Sequence, residues 1–225
     1  MWIKICGITS LEDAEFAVAS GADALGFVFA ESPRRIDAQN AREIIARLPQ
    51  SIEKIGVFVD AMLAEALALC QFGGLTGAQL HRSGPEKQPW IPDPATGTPH
   101  RFRLINVVRH DGDSNRFTEE LRAIRELPAI GNDPQTVLVD SCIRGQQGGT
   151  GHAFDWAAAR ASFLDASPHL RLIAAGGLRP ENVAEAIGSL QPWGVDVSSG
   201  VEASPGKKDP AKVTAFIREA RQAGK

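Results

Sequence analysis

A chain of 225 residues with a hydrophobic fraction of 43% can bury a large core, and is slightly short for a barrel domain of about 250 residues. Its formal net charge of −3, from 24 basic and 27 acidic residues, supplies no field that favours nucleic acid or an anionic membrane, so any anionic group must be held by a local site. The cysteines Cys6, Cys70 and Cys142 form neither a disulfide framework nor a metal-ligand spacing, which fits a reducing cytoplasm, and the apolar start before Gly7 is too short for a signal-peptide core or a bilayer span.

Short apolar runs alternate with longer amphipathic stretches. Strands are expected at 2–6, 23–29, 54–59, 76–81, 102–108, 136–140, 170–175 and 194–198. Several lack a clean alternation, as parallel strands covered on both faces do. Between them, helices are expected at 10–20, where Ser10 suits the N-cap, at 37–48 behind Asp37, and at 61–72, 116–127, 155–165, 180–190 and 209–222. Pro180 and Pro210 fit first-turn positions. Eight strands joined by crossovers predict one α/β domain over 1–225, a closed (β/α)8 TIM barrel. The fourth crossover is irregular: 82–101 carries Pro85, Pro89, Pro92, Pro94 and Pro99, and proline is poorly tolerated inside a helix.

In such a barrel the strand ends share one mouth. Cys6 ends the first strand and Asp140 the sixth. A thiol and a carboxyl facing each other there suit a general base and a general acid, for a reaction that moves a proton and adds nothing. Lys4, two residues before Cys6, points to the same strand face, and a nearby cation lowers a cysteine pKa from about 8.5. An apolar mouth would instead raise that of Asp140 and keep it protonated. An arbitrary buried cysteine is an inert small hydrophobe, and a strand-end carboxyl can simply cap a loop.

The run Ala174-Ala175-Gly176-Gly177-Leu178 reads as strand, glycine turn and helix start, and Val197-Ser198-Ser199-Gly200 repeats the pattern one strand later. Either turn alone is ordinary. Together, after the last two strands, they predict a phosphate cradle of backbone N–H groups, here Gly176, Gly177, Ser199 and Gly200. Gly148-Gly149-Thr150-Gly151 reads as a mobile closing loop and lacks the lysine of a nucleotide-binding loop. Arg34 and Arg35 follow the second strand, where one guanidinium can grip a carboxylate bidentately. Gln79 and His81 end the fourth strand, His81 not as the base, and no histidine spacing suggests a metal site.

These residues together resemble phosphoribosylanthranilate isomerase, the tryptophan-biosynthesis enzyme family. The likeness runs in order through Lys4-Ile5-Cys6-Gly7-Ile8-Thr9, Ser32-Pro33-Arg34-Arg35-Ile36, Gln79-Leu80-His81, Leu138-Val139-Asp140-Ser141 and Gly148-Gly149-Thr150-Gly151. It ends with Ala175-Gly176-Gly177-Leu178 and Val195-Asp196-Val197-Ser198-Ser199-Gly200-Val201-Glu202. The resemblance implies an Amadori rearrangement of N-(5-phosphoribosyl)anthranilate to 1-(2-carboxyphenylamino)-1-deoxyribulose 5-phosphate. Asp140 would protonate the ring oxygen, and Cys6 as thiolate would remove the C2 proton. Arg35 matches the position that holds the anthranilate carboxylate. Gly177, Ser199 and Gly200 match the phosphate cradle, and Asp196, Gln79 and His81 match substrate-binding positions in the mouth. It implies no metal or organic cofactor, a small phosphorylated substrate as the partner, a cytoplasmic location, and a monomer or homodimer. A departure is Arg82-Ser83 before Gly84, where the family has glycine directly after the Gln-Leu-His element.

Other readings are a sugar-phosphate epimerase, which needs paired His and Asp metal ligands at strand ends, and indole-glycerol-phosphate synthase, which needs several catalytic Lys and Glu. A non-catalytic barrel binding a phosphorylated ligand or a partner protein would dispense with Cys6 and Asp140. Isomerases that also take a histidine-pathway substrate use paired aspartates, and Cys6 argues for the anthranilate substrate alone.

Overall fold

The computed structural model describes residues 1–61, 63–81, 102–109, 113–126, 135–140, 156–166 and 169–225. The 82–101 crossover, the Gly148–Gly151 loop and Cys142 lie outside the described residues. The elements run β1 (Trp2–Cys6), α1 (Leu11–Ala19), β2 (Ala24–Val28), α2 (Ala38–Ile45), β3 (Glu53–Val59), α3 (Leu63–Gly73), β4 (Gly77–His81), β5 (Arg103–Arg109), α4 (Ser114–Arg125) and β6 (Thr136–Asp140). They continue with α5 (Trp156–Ala166), β7 (Arg171–Ala175), α6 (Val183–Leu190), β8 (Gly194–Val197), a 3-10 turn (Ser199–Val201), β9 (Glu202–Ser204), β10 (Lys207–Lys208) and α7 (Pro210–Ala223). Strands β1 to β8 pair in parallel and sequential order, and β8 closes on β1, giving the eight-stranded barrel expected.

Strand alternation sorts the side chains into two cores. Ile3, Ile5, Leu25, Phe27, Val137 and Val139 point outward and pack with the helical layer, from Ala14 and Ala17 of α1 to Val213, Phe216 and Ile217 of α7. Trp2, Ala24, Ile55, Ile105, Leu138 and Ile173 point inward and fill the barrel. Cys6 is in phase with Trp2, and Asp140 with Leu138, so both belong to the inner face at the top of their strands.

The N-terminal end of the barrel is plugged. Trp2 stacks on Trp193 with ring centroids 5.2 Å apart. The Arg103 guanidinium lies 5.0 Å from the Trp193 ring and makes two hydrogen bonds, of 2.6 and 2.9 Å, to the Glu53 carboxylate.

Helix starts follow local chemistry. Ser10 Oγ accepts from the Asp13 N–H at 3.2 Å, and Asp37 and Asp209 cap α2 and α7 in the same way. Pro210 opens α7, as expected. Pro180 does not open α6, which starts three residues later at Val183. The reason is Asn182. Its side chain accepts from the Arg179 N–H at 2.8 Å and donates to the Gly177 carbonyl at 3.1 Å, so the chain braces the glycine turn before it coils. The β9–β10 hairpin was not legible in the sequence and carries part of the site.

Candidate active site

The site is built from the interior upward, and Lys4 is its base. Lys4 is fully buried and can only donate. It gives one hydrogen bond to Asp196 Oδ1 and one to Gln79 Oε1, each 2.9 Å long. These contacts fix the Gln79 amide, because its oxygen must face Lys4. Its nitrogen then lies 2.8 Å from His81 Nε2 and must donate to it. His81 Nε2 is therefore an acceptor, and the ring is neutral with its proton on Nδ1. Burial pushes the ring the same way, with the charges of Lys4 and Arg109 adding to it, down from the ordinary 6.5 to about 4. Asp196, Gln79 and His81 are thus brought together in one string that starts at the barrel centre.

Burial pushes the Lys4 ammonium down, but the charge and hydrogen bond of Asp196, together with Cys6, more than offset it and hold it above its ordinary value. A buried charge of this kind persists only when paired and hydrogen-bonded.

Cys6 sits directly above this pair. It ends β1 opposite Gly26 in β2, and a methyl group on Gly26 would lie 2.7 Å from Cys6 Sγ and 3.0 Å from Lys4 Cε. The absent side chain of Gly26 is the space that the thiol and the lysine stem occupy. Lys4 does pull the thiol pKa down, as expected, but it does not set the net direction. Burial pushes the Cys6 thiol up, the Asp196 carboxylate adds to that, and the pull of Lys4 and Lys208 does not overcome them. The resting form is the thiol. Cys70, held in the helical layer, is pushed up to about 12 by burial and fits the inert structural type.

Asp140 ends β6, half-buried, with Arg109 opposite it on β5 and Ala175 opposite it on β7. Arg109 was missed because the fifth strand was expected to end one residue earlier. Its place beside a strand-end carboxyl is readable only from the register.

Arg34 and Arg35 separate cleanly. Arg34 grips Glu202 bidentately, Nε to Oε1 at 2.8 Å and Nη2 to Oε2 at 2.7 Å, and its stem lies over Gly7. Gly7 turns with φ +79°, which a side chain would strain. Arg35 is exposed and makes no ion pair among the described residues. On the far side of the mouth, Gly176 and Gly177 both take positive φ, and Gly177 faces open space. Gly200 packs against the Leu178 carbonyl so tightly that a methyl group there would overlap it, which sets the Ser199–Gly200 turn against the Gly176–Gly177 turn. Among the described residues no group of three His, Cys, Asp or Glu is placed to hold a metal, and no helix is long and apolar enough to cross a membrane.

The chain was compared with known proteins. The family model described as N-(5'-phosphoribosyl)anthranilate (PRA) isomerase matches residues 3–219. The N-(5'-phosphoribosyl)anthranilate isomerase of Chlorobium phaeovibrioides is 40% identical over 222 residues, covering 98% of this chain and 97% of the relative. The crystal structure of phosphoribosyl anthranilate isomerase from Thermotoga maritima superposes with a TM-score of 0.80 at 38% identity, covering 99% of each chain. A further crystal structure of a phosphoribosyl anthranilate isomerase, in complex with reduced 1-(o-carboxyphenylamino)-1-deoxyribulose 5-phosphate, superposes at 0.76 with 36% identity, again covering 99% of each chain.

Proposed function

Since the chain belongs to the N-(5'-phosphoribosyl)anthranilate isomerase family, we propose that its barrel mouth carries out that family's isomerisation with Asp140 as general acid and Cys6 as general base. The chain is thereby an isomerase of tryptophan biosynthesis. The observation that carries the assignment is that Cys6 and Asp140 end β1 and β6 on the inner face of one closed barrel, so both open into one mouth.

Asp140 protonates the ribose ring oxygen, and the ring opens to an iminium. Cys6 then takes the C2 proton, and the enolamine that results tautomerises to the ketone. The raised thiol pKa gives the order of these steps a physical reason. In the free site the thiolate is disfavoured by burial. Ring opening creates a cation on the substrate, and a cation beside a buried thiol favours its ionised form. The thiol then gives up its proton to solvent, and the thiolate so formed takes the C2 proton.

Arg35 takes the anthranilate carboxylate, since the Arg34 guanidinium is committed to Glu202. The phosphate lies between the Gly176–Gly177 and Ser199–Gly200 turns, which pack against each other, with open space beside Gly177. Asp196 and His81 face the sugar.

The test is turnover of freshly generated N-(5-phosphoribosyl)anthranilate, followed by its fluorescence decay. Saturable turnover is expected. Arg35→Ala should raise KM by about 10-fold or more with a smaller change in kcat, as the loss of a charge-assisted contact does. A folded chain that does not turn over this substrate would contradict the proposal.

A further inference from the structure

Glu202 and Lys208 are almost wholly buried charges, and the reaction described above uses neither. Glu202 accepts from Arg34 twice, from Lys208 Nζ at 2.9 Å and from the Gly206 N–H at 3.3 Å. Burial would push the Glu202 carboxyl up, but the hydrogen bonds and charges of Arg34 and Lys208 hold it below the ordinary carboxylate range. Lys208 Nζ also donates to the Cys6 carbonyl at 2.6 Å and reaches the Ser198 carbonyl at 3.5 Å. The β9–β10 hairpin that supplies both residues is tied to the turn after β1. There Thr9 Oγ1 donates to the Gly206 carbonyl at 2.5 Å, and just beyond, in the first turn of α1, Asp13 accepts from the Lys208 N–H at 2.9 Å.

We propose that Glu202 is a positioning residue for the isomerase reaction, acting through Arg34 and Lys208 to hold three separate pieces of the mouth in one register. The pieces are the Cys6–Gly7 turn, which carries the base; the Arg34–Arg35 loop, which carries the carboxylate grip; and the Ser198–Gly200 turn, which carries the phosphate cradle. The inference rests on the roles given above to Cys6, Arg35 and that cradle. An ion cluster kept for stability alone is replaceable by well-packed apolar groups. This one meets the backbone at Cys6, the base, and at Ser198, next to the cradle residue Ser199, and it anchors Arg34, the neighbour of Arg35.

The experiment is steady-state kinetics of Glu202→Gln, alone and in an Arg35→Ala background, with Cys6→Ala measured in parallel. Folding is verified by circular dichroism. Glu202→Gln should lower kcat/KM by about 10²-fold, with kcat falling and KM rising together. The rise in KM should shrink or vanish in the Arg35→Ala background, because the loop then has no grip left to misplace. Equal rises in KM in both backgrounds, or parent-like kinetics in Glu202→Gln, overturn the positioning role. Should Glu202→Gln fail to fold, Arg34→Lys, which keeps the charge and loses the bidentate grip, is measured in its place against the same criteria. An unchanged rate in Cys6→Ala overturns the underlying reading of the site; loss in Cys6→Ala with parent-like Glu202→Gln overturns this inference alone.

Discussion

Lys4 can only donate, and that fact propagates across the barrel. It orients Gln79, and Gln79 in turn leaves His81 with a bare Nε2 and no room for a second proton. The consequence is a pH-dependent stability. Between 6.5 and about 4 the unfolded chain binds a proton at His81 that the folded chain refuses. Stability is therefore complete above the unfolded value and falls as pH drops through this window, by an amount on the order of 3 kcal/mol. Denaturant titrations from pH 7 to 4 should show that slope, and His81→Asn should flatten it. Equal slopes in both proteins would contradict the neutral, Nδ1-protonated assignment. Part of this layer was legible: Lys4 and Cys6 share a face by alternation, and Gln79 and His81 end the fourth strand. The direction of the Cys6 shift was not. A neighbouring lysine is visible in sequence, whereas the burial that outweighs it, and Asp196 reaching the same lysine, come only from closing β8 onto β1.

The β-strands were the most legible elements, because apolar runs of parallel strands have few alternatives. The connections were less so. Proline at 180 is a sound helix-start signal in isolation, yet α6 begins at Val183 because the Asn182 side chain serves the glycine turn instead of the helix. That trade predicts a function for the turn. Asn182→Ala should let the Gly176–Gly177 turn relax, raising KM and weakening competitive inhibition by inorganic phosphate by about 10-fold, with kcat nearly unchanged. Unaltered phosphate inhibition would show that the brace does not serve the anion. The β9–β10 hairpin escaped the sequence reading for a related reason. It is short and polar, and Glu202 and Lys208 gain meaning only from partners at Arg34 and Cys6, far away in the chain.

At the scale of the whole molecule the barrel divides its labour. The N-terminal end is closed by Trp2, Trp193, Arg103 and Glu53, which bind one another. The C-terminal end gathers Cys6, Asp140, the Arg34–Arg35 loop and the two glycine turns, with open space beside Gly177. A polar string from Asp196 through Lys4 to His81 links the interior to that mouth. The closed topology makes the central claim possible: β1 and β6, which are not neighbours in the sheet, both end at one mouth. The most direct measurement is the steady-state rate on N-(5-phosphoribosyl)anthranilate for the intact protein beside Cys6→Ala and Asp140→Asn, each verified as folded. A loss of about 10²–10⁴-fold in each variant is predicted. A folded variant at either position that keeps the parent rate would contradict the acid–base assignment.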